Sequence, residues 1–383
     1  MTRFPLNEFK ELTTPFYFYD LALLDRTLAE VNRASRDDNF HVHYAMKANA
    51  NPAILRRIQG AGLGIDAVSG WEIKAALEAG FKGAQIVFAG VGKTDPEILF
   101  ALENGVGCFN VESLPELEVI DELARSLGKV AKVNVRVNPN IDAHTHAYIT
   151  TGLAENKFGI NLELLPVVLE RATALENVEL TGLHFHIGSQ ITETEPFVML
   201  CETINALQDE YEAKGYRFSS INVGGGLGID YNDPDRHPIP DFESYFKVFR
   251  NHLRLRDGQE LHFELGRSIV CQCGSLITRV IYVKEGVKKR FAIVDAGFSD
   301  LIRPALYNAH HRIENISSPN SERHHYDVVG PICESSDSFG TDELLPAVRR
   351  GDFLALRSAG AYGEIMASQY NCRPLPSSFF CDK

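Results

Sequence analysis

The sequence has no apolar run long enough to span a bilayer, and its first residues, Met1-Thr2-Arg3-Phe4-Pro5-Leu6-Asn7-Glu8, hold no apolar core of signal-peptide length. Neither a membrane span nor a secretory leader is expected, and the cytoplasm is the expected compartment. Basic charge is scarce: 38 Lys and Arg against 51 Asp and Glu leave a formal charge of −13. That balance speaks against nucleic acid or an anionic membrane as partner, since either requires a basic patch. Seven cysteines, at 108, 201, 271, 273, 333, 372 and 381, form an odd set with neither CxxC nor zinc-finger spacing. Cys271-x-Cys273 is too close for an unstrained disulfide, and reduced thiols are the simplest reading. A GxGxxG dinucleotide fingerprint and low-complexity segments are also missing.

What the chain does contain is enough apolar residue, 44% of 383, to bury a large core, and enough length for two domains. Apolar, β-branched runs recur at Phe40–Met46, Gly64–Val68, Gln85–Ala89, Cys108–Val111, Lys132–Val137, Leu180–Ile187, Ser220–Val223 and Leu261–Leu265. Segments of helical periodicity separate them, among them Gly70–Gly80, Asp95–Asn104, Leu114–Leu127, Leu162–Leu175, Glu195–Lys214 and Phe242–Leu255. This alternation predicts an α/β fold: a (β/α)8 TIM barrel over residues 25–265. After Leu265 short strands with few helices predict a C-terminal β-rich, β-barrel-like domain over 266–383. The early strand Pro15–Tyr19 precedes the barrel and is expected in that later sheet, which adds residues 1–24 to the second domain.

Barrel chemistry collects at the C-terminal ends of the strands. There the sequence places Lys47, Asp66, Gly90, Glu112, Arg136, His186, Gly224 and Glu264. A lysine desolvated at such a mouth can lose its proton and attack a carbonyl, as in a Schiff base with pyridoxal phosphate. Asn222-Val223-Gly224-Gly225-Gly226-Leu227-Gly228 lets backbone N–H groups approach an anion, and Arg267 after strand eight would complete a phosphate cradle. Glu264 could keep a ring nitrogen protonated. His41-x-His43 and His184-x-His186 each place two imidazoles on one strand face. A barrel metal site would also need histidine at the end of strand five, where Arg136 and Asn138 stand instead, so no metal is expected. In the second domain Arg303 and Tyr307 lie four apart, Cys333 and Glu334 share a Gly-Pro turn, and Ala359-Gly360-Ala361-Tyr362-Gly363 presents one phenol.

These motifs identify a resemblance. Tyr44-Ala45-Met46-Lys47-Ala48-Asn49, His186-Ile187-Gly188-Ser189-Gln190, Gly224-Gly225-Gly226, Glu264-x-Gly266-Arg267, Ile302-Arg303-Pro304-Ala305-Leu306-Tyr307, Cys333-Glu334-Ser335 and Ser358-Ala359-Gly360-Ala361-Tyr362-Gly363 follow one family's order over residues 15 to 374. The chain resembles the pyridoxal-phosphate-dependent decarboxylases of the alanine-racemase-like fold (fold type III), most closely the diaminopimelate decarboxylases. The resemblance implies a cytoplasmic homodimer with its active site at the interface, acting in lysine biosynthesis. It implies Lys47 as covalent anchor of pyridoxal 5'-phosphate, His186 stacked on the ring, Arg136 near the ring oxygen and Glu264 at the ring nitrogen. Ser189, Gly224, Gly225, Gly226 and Arg267 would hold the phosphate. Arg267, Arg303, Tyr307, Glu334 and Tyr362 would bind substrate, Tyr362 also lying near the cofactor, and Cys333, from the partner chain, would return a proton.

Arg303 offers a fork for a distal carboxylate and Glu334 an anion for the distal amine, which favours meso-2,6-diaminopimelate over ornithine. The alternatives are a decarboxylase of a basic amino acid or carboxynorspermidine, and a non-catalytic pyridoxal-phosphate-binding protein. Two departures stand out. Leu265 replaces the family's usual proline, and the chain ends soon after Arg373-Pro374, without the final strand and helix many members carry.

Overall fold

A computed structural model of the chain describes residues 4–37, 39–141 and 157–382. The chain divides into two compact units, one of residues 28–228 and 241–266, the other of 1–27, 229–240 and 267–383. The strands, in chain order, are β1 (Phe16–Asp20), β2 (Phe40–Ala45), β3 (Gly64–Ala67), β4 (Ile86–Phe88), β5 (Cys108–Val111), β6 (Ala131–Asn138) and β7 (Ile160–Asn161). They continue with β8 (Val178–His184), β9 (Ser220–Asn222), β10 (Glu260–Leu265), β11 (Gly274–Glu285), β12 (Arg290–Val294) and β13 (Ile313–Asn315). The last are β14 (Arg323–Val329), β15 (Ser338–Pro346), β16 (Phe353–Leu356) and β17 (Ser377–Cys381).

In the first unit all neighbours pair in parallel in the order β2-β3-β4-β5-β6-β8-β9-β10, and β10 returns to β2, with Leu261 opposite Phe40 and Glu264 opposite His43. This is the expected closed eight-stranded barrel, with β7 a short appendage on β6. Leu265 continues β10 opposite Tyr44, buried, so the ladder runs on through the position where proline would remove a donor. The helix Phe242–His252 shows why the outer layer forms. Asp241 caps it by accepting the Ser244 N–H, and Phe242, Tyr245, Phe246 and Phe249 repeat at helical spacing on its buried face. Phe246 meets Phe263 of β10 edge-on at 4.9 Å. Burying each such ring contributes about 2–3 kcal/mol.

One local device recurs where it matters to the site. Ser69 caps the helix Gly70–Glu78 and Ser113 the helix Leu114–Ser126, each through the N–H three residues on. The glutamates there reach back: Glu72 accepts the Val68 N–H and Glu116 the Glu112 N–H, both at 2.7 Å. The Ser-x-x-Glu pattern thus clamps the loops that follow β3 and β5.

The second unit is an eight-stranded, mostly antiparallel sheet in the order β13-β16-β11-β12-β14-β15, with β1 on β11 and β17 on β1. The early strand joins this sheet as expected, Phe16 lying opposite Ile277. Phe9, Phe16, Phe18, Ile277, Phe353 and Ala355 form its buried cluster. A strand that was not anticipated follows Arg373-Pro374: Ser377–Cys381 pairs in parallel with β1 along its whole length. Strands β13 and β15 were also not anticipated. The first has three residues, and β15 carries Gly340, a left-handed Asp342 and shifted pairing with β14, which hide the period-2 pattern.

His43 and His262 lie on the paired strands β2 and β10 with ring nitrogens 2.9 Å apart. Burial first, then the neighbouring imidazole, lowers His43 to about 3. The unfolded chain therefore takes up a proton near pH 6.5 that the folded one refuses, so His43 makes stability fall on acidification below that pH. We expect the stability deficit of His43→Asn, measured by urea unfolding, to shrink by about 1–3 kcal/mol between about pH 7 and pH 4.5. A deficit independent of pH contradicts this.

Candidate active site

Lys47 sits in the single turn Met46–Ala48 that follows β2, its Nζ 3.6 Å from Asp66 Oδ2 at the end of β3. The lysine side chain is 41% exposed whereas that of Asp66 is fully buried, and neither Asp66 oxygen accepts a hydrogen bond among the described residues. Burial, and then the charge of Glu264, raise the Asp66 carboxyl well above its usual range, against the opposing pull of Lys47. Asp66 is thus a proton store beside a lysine.

Glu264, near the end of β10, has the opposite fate. Its Oε1 accepts from Asn110 at 3.0 Å and Asn222 at 2.7 Å, and Oε2 meets His184 Nε2 at 3.1 Å. Burial alone would raise this carboxyl, but the pull and hydrogen bond of His184, with the charge of Lys47, hold it well below the carboxylate range. It is a fixed anion in a dry setting. Asn222 also ties this anion to the glycine loop, because its Oδ1 accepts the Gly224 N–H at 2.9 Å. Gly224 and Gly226 have φ of +69° and +112°, and a Cβ on Gly225 would lie 2.0 Å from the Glu264 carbonyl oxygen, so no side chain fits there. The Gly225 N–H donates to His186 Nδ1 at 3.2 Å. Shielding from water, then Lys47 and Arg136, lower His186 well below its ordinary value and keep it neutral.

Arg136, in β6, donates to Glu112 at 2.5 Å, and its guanidinium lies 4.8 Å over the Phe158 ring. Ser189 follows in the loop after β8, beside Gln190 in a left-handed conformation. The barrel therefore brings Lys47, Arg136, His186, Gly224–Gly226 and Glu264 to one end, as the strand-end reading expects.

Within the second unit, Arg267 and Arg303 are buried and both donate to the phenol of Tyr231, at 2.5 and 3.0 Å. Arg267 also lies 4.9 Å over the ring of Tyr362, itself left-handed at φ 57°. Arg303 has no carboxylate partner among the described residues, and its buried Nε lacks a hydrogen bond there. Tyr307 ends the helix that Arg303 begins. Cys333 is exposed in a turn held by Asp337, whose carboxylate accepts the N–H of Ile332 at 2.7 Å and of Phe298 at 2.6 Å. Glu334 accepts from Tyr370 at 2.5 Å; among the described residues of this chain no bond joins it to Arg303.

The family model for the pyridoxal binding domain of pyridoxal-dependent decarboxylases matches residues 22–271. The diaminopimelate decarboxylase of Bacteroides thetaiotaomicron is 57% identical over 99% of this chain and 98% of its own length. The chain belongs to the diaminopimelate decarboxylase family. A second member, from Neisseria meningitidis serogroup A, is 43% identical over 94% of this chain and 87% of its own length. Among solved structures, diaminopimelate decarboxylase from Helicobacter pylori complexed with L-lysine superposes with a TM-score of 0.93 at 41% identity, covering 98% of this chain and 93% of that one.

The residues of this family member fit pyridoxal phosphate on their own geometry. The side-chain-free glycine loop suits a phosphate, the fixed Glu264 anion suits a protonated ring nitrogen, and Lys47 supplies an amine beside a proton store. Asp66, His184 and Asn222 were named from sequence only as a strand-end acid, one of a histidine pair and the start of the glycine stretch, and Asn110 and Tyr231 were not named at all. For the first four the available signal was a polar residue inside an otherwise apolar barrel strand; Tyr231, in a loop, gave none. Among the described residues no group of three or more His, Cys, Asp or Glu could hold a metal, and none of the helices is long and apolar enough to cross a membrane.

Proposed function

We propose that this decarboxylase converts meso-2,6-diaminopimelate to L-lysine and CO2 with pyridoxal 5'-phosphate bound at the barrel mouth. The observation that carries the substrate assignment is Arg303, a buried guanidinium without a counter-anion among the described residues. Such a charge calls for an anion from the ligand. Diaminopimelate brings one at the end that does not react, and L-lysine, bound in the Helicobacter pylori relative, retains it.

In this reading the barrel, residues 28–228 and 241–266, holds the cofactor. Lys47 anchors the cofactor and Asp66 exchanges a proton with its amine. His186 would cover the cofactor ring, Arg136 would serve its ring oxygen, and Ser189, Gly224–Gly226 and Arg267 would hold its phosphate. Arg303 with Arg267, Tyr307 and Tyr362 binds the substrate. The bound cofactor supplies a sink for the electron pair left when the carboxylate departs. Glu264 sustains that sink by holding its negative charge at the ring nitrogen.

Cys333 and Glu334, turned to solvent within their own chain, act in the partner's site of a cytoplasmic homodimer, Cys333 giving its thiol proton to the carbon that lost CO2. Cys333→Ala is expected to cut lysine formation roughly 10²-fold or more while cofactor binding stays intact. Unchanged turnover would reject that role. The reaction itself is tested by product analysis: incubation with cofactor and meso-diaminopimelate should yield one L-lysine per CO2. Epimerised diaminopimelate or a keto acid without CO2 would contradict it.

A further inference from the structure

We infer that Tyr231 is a positioning residue that holds the Arg267 and Arg303 guanidiniums in register for the substrate's carboxylate; the inference rests on the substrate reading above. The valences of its hydroxyl are all used. The oxygen accepts one N–H from each arginine, at 2.5 and 3.0 Å, and its single O–H is left for Cys271 Sγ at 3.3 Å. The Cys271 thiol in turn donates to the Ser358 carbonyl at 3.0 Å, so the relay ends on backbone. Both guanidiniums also lie against the ring of Tyr231, at 5.9 and 5.1 Å.

A carboxylate at this position would spend the charge of Arg303, which has no carboxylate partner among the described residues; a phenol aligns both forks and leaves that charge for the ligand. Tyr231 is itself held from an independent direction. Its loop, residues 229–240, belongs to the second unit although it follows the glycine stretch. There Asp233 pairs with Arg312 at 3.1 Å, Asp235 with buried Arg357 at 2.9 Å, and the His237 carbonyl accepts from Gln272 at 2.6 Å.

The test uses the cofactor-loaded enzyme and two ligands, L-lysine, which has the carboxylate, and 1,5-diaminopentane, which lacks it. For Tyr231→Phe we expect lysine to bind about tenfold more weakly or worse, with diaminopentane within about twofold of wild type. KM for diaminopimelate should rise alongside, with kcat within about threefold. The lysine-to-diaminopentane ratio is independent of how much protein is folded, so a fragile variant still reports. Equal weakening of both ligands overturns the inference. So does wild-type lysine binding in Tyr231→Phe while Arg303→Lys loses it, which leaves the substrate reading standing. Wild-type lysine binding in both variants overturns the reading of Arg303 itself, and this inference with it.

Discussion

Lys47→Ala is expected to lower decarboxylation by roughly 10³-fold or more, because it removes the one amine placed to anchor the cofactor beside a proton store. Another lysine with a buried side chain, Lys93 in the loop after β4, is not free for that role, because its ammonium is engaged with Glu116 at 2.5 Å and the carbonyls of Gly90 and Asn110, each at 2.8 Å. Lys47, by contrast, stands 3.6 Å from a carboxyl whose hold on a proton burial strengthens. A lysine whose neighbour can carry its proton can present a neutral amine. Borohydride reduction of the loaded wild-type protein, followed by peptide mass spectrometry, should find the pyridoxyl mass on the peptide containing Lys47 and on no other. A variant that keeps even a tenth of wild-type turnover would contradict the assignment.

Glu264→Gln carries the second large effect. The substitution keeps size and shape but removes the charge, and an amide NH2 would then confront the NH2 groups of Asn110 and Asn222 or the ring of His184. With the anion gone, the ring nitrogen loses its partner, and we expect kcat to fall roughly 10²–10³-fold. A second consequence distinguishes electrostatics from simple damage. The Glu264 charge is one of the causes that raise Asp66, so its removal should move the Asp66 titration to lower pH. The pH profile of the bound cofactor's absorption should shift acidward in Glu264→Gln. An unshifted profile with unchanged kcat would remove Glu264 from the account.

Much of this was legible in the sequence, for a physical reason. Parallel barrel strands are buried on both faces, so each reads as an apolar run that stops where chemistry begins, and Lys47, Glu264 and the glycine loop stand at those stops. The supporting layer was harder to read. Asn110 and His184 act through Glu264, and Asn222 through Glu264 and the Gly224 N–H; an amide inside a strand is ambiguous until its partner is known. Tyr231 lies beyond the glycine loop in a segment with no periodicity, and its value appears only when Arg267, Arg303 and Cys271 converge on one oxygen. The β-rich unit was underread because its edge strands are short, bulged or late, as β13, β15 and β17 are. Arg303 and Glu334, read from the sequence as meeting the distal carboxylate and the distal amine of one substrate, are not bonded to each other among the described residues of one chain, where Tyr370 donates to Glu334.

The central claim is that this site takes a diamino acid with a second carboxylate and releases the first as CO2. The measurement that tests it most directly is CO2 release by the cofactor-loaded protein from meso-diaminopimelate, lysine, ornithine and arginine, each alone. Release is expected from diaminopimelate only. Release from ornithine, arginine or lysine in its place would contradict the reading of Arg303, and absence of release from all four would contradict the decarboxylase assignment itself.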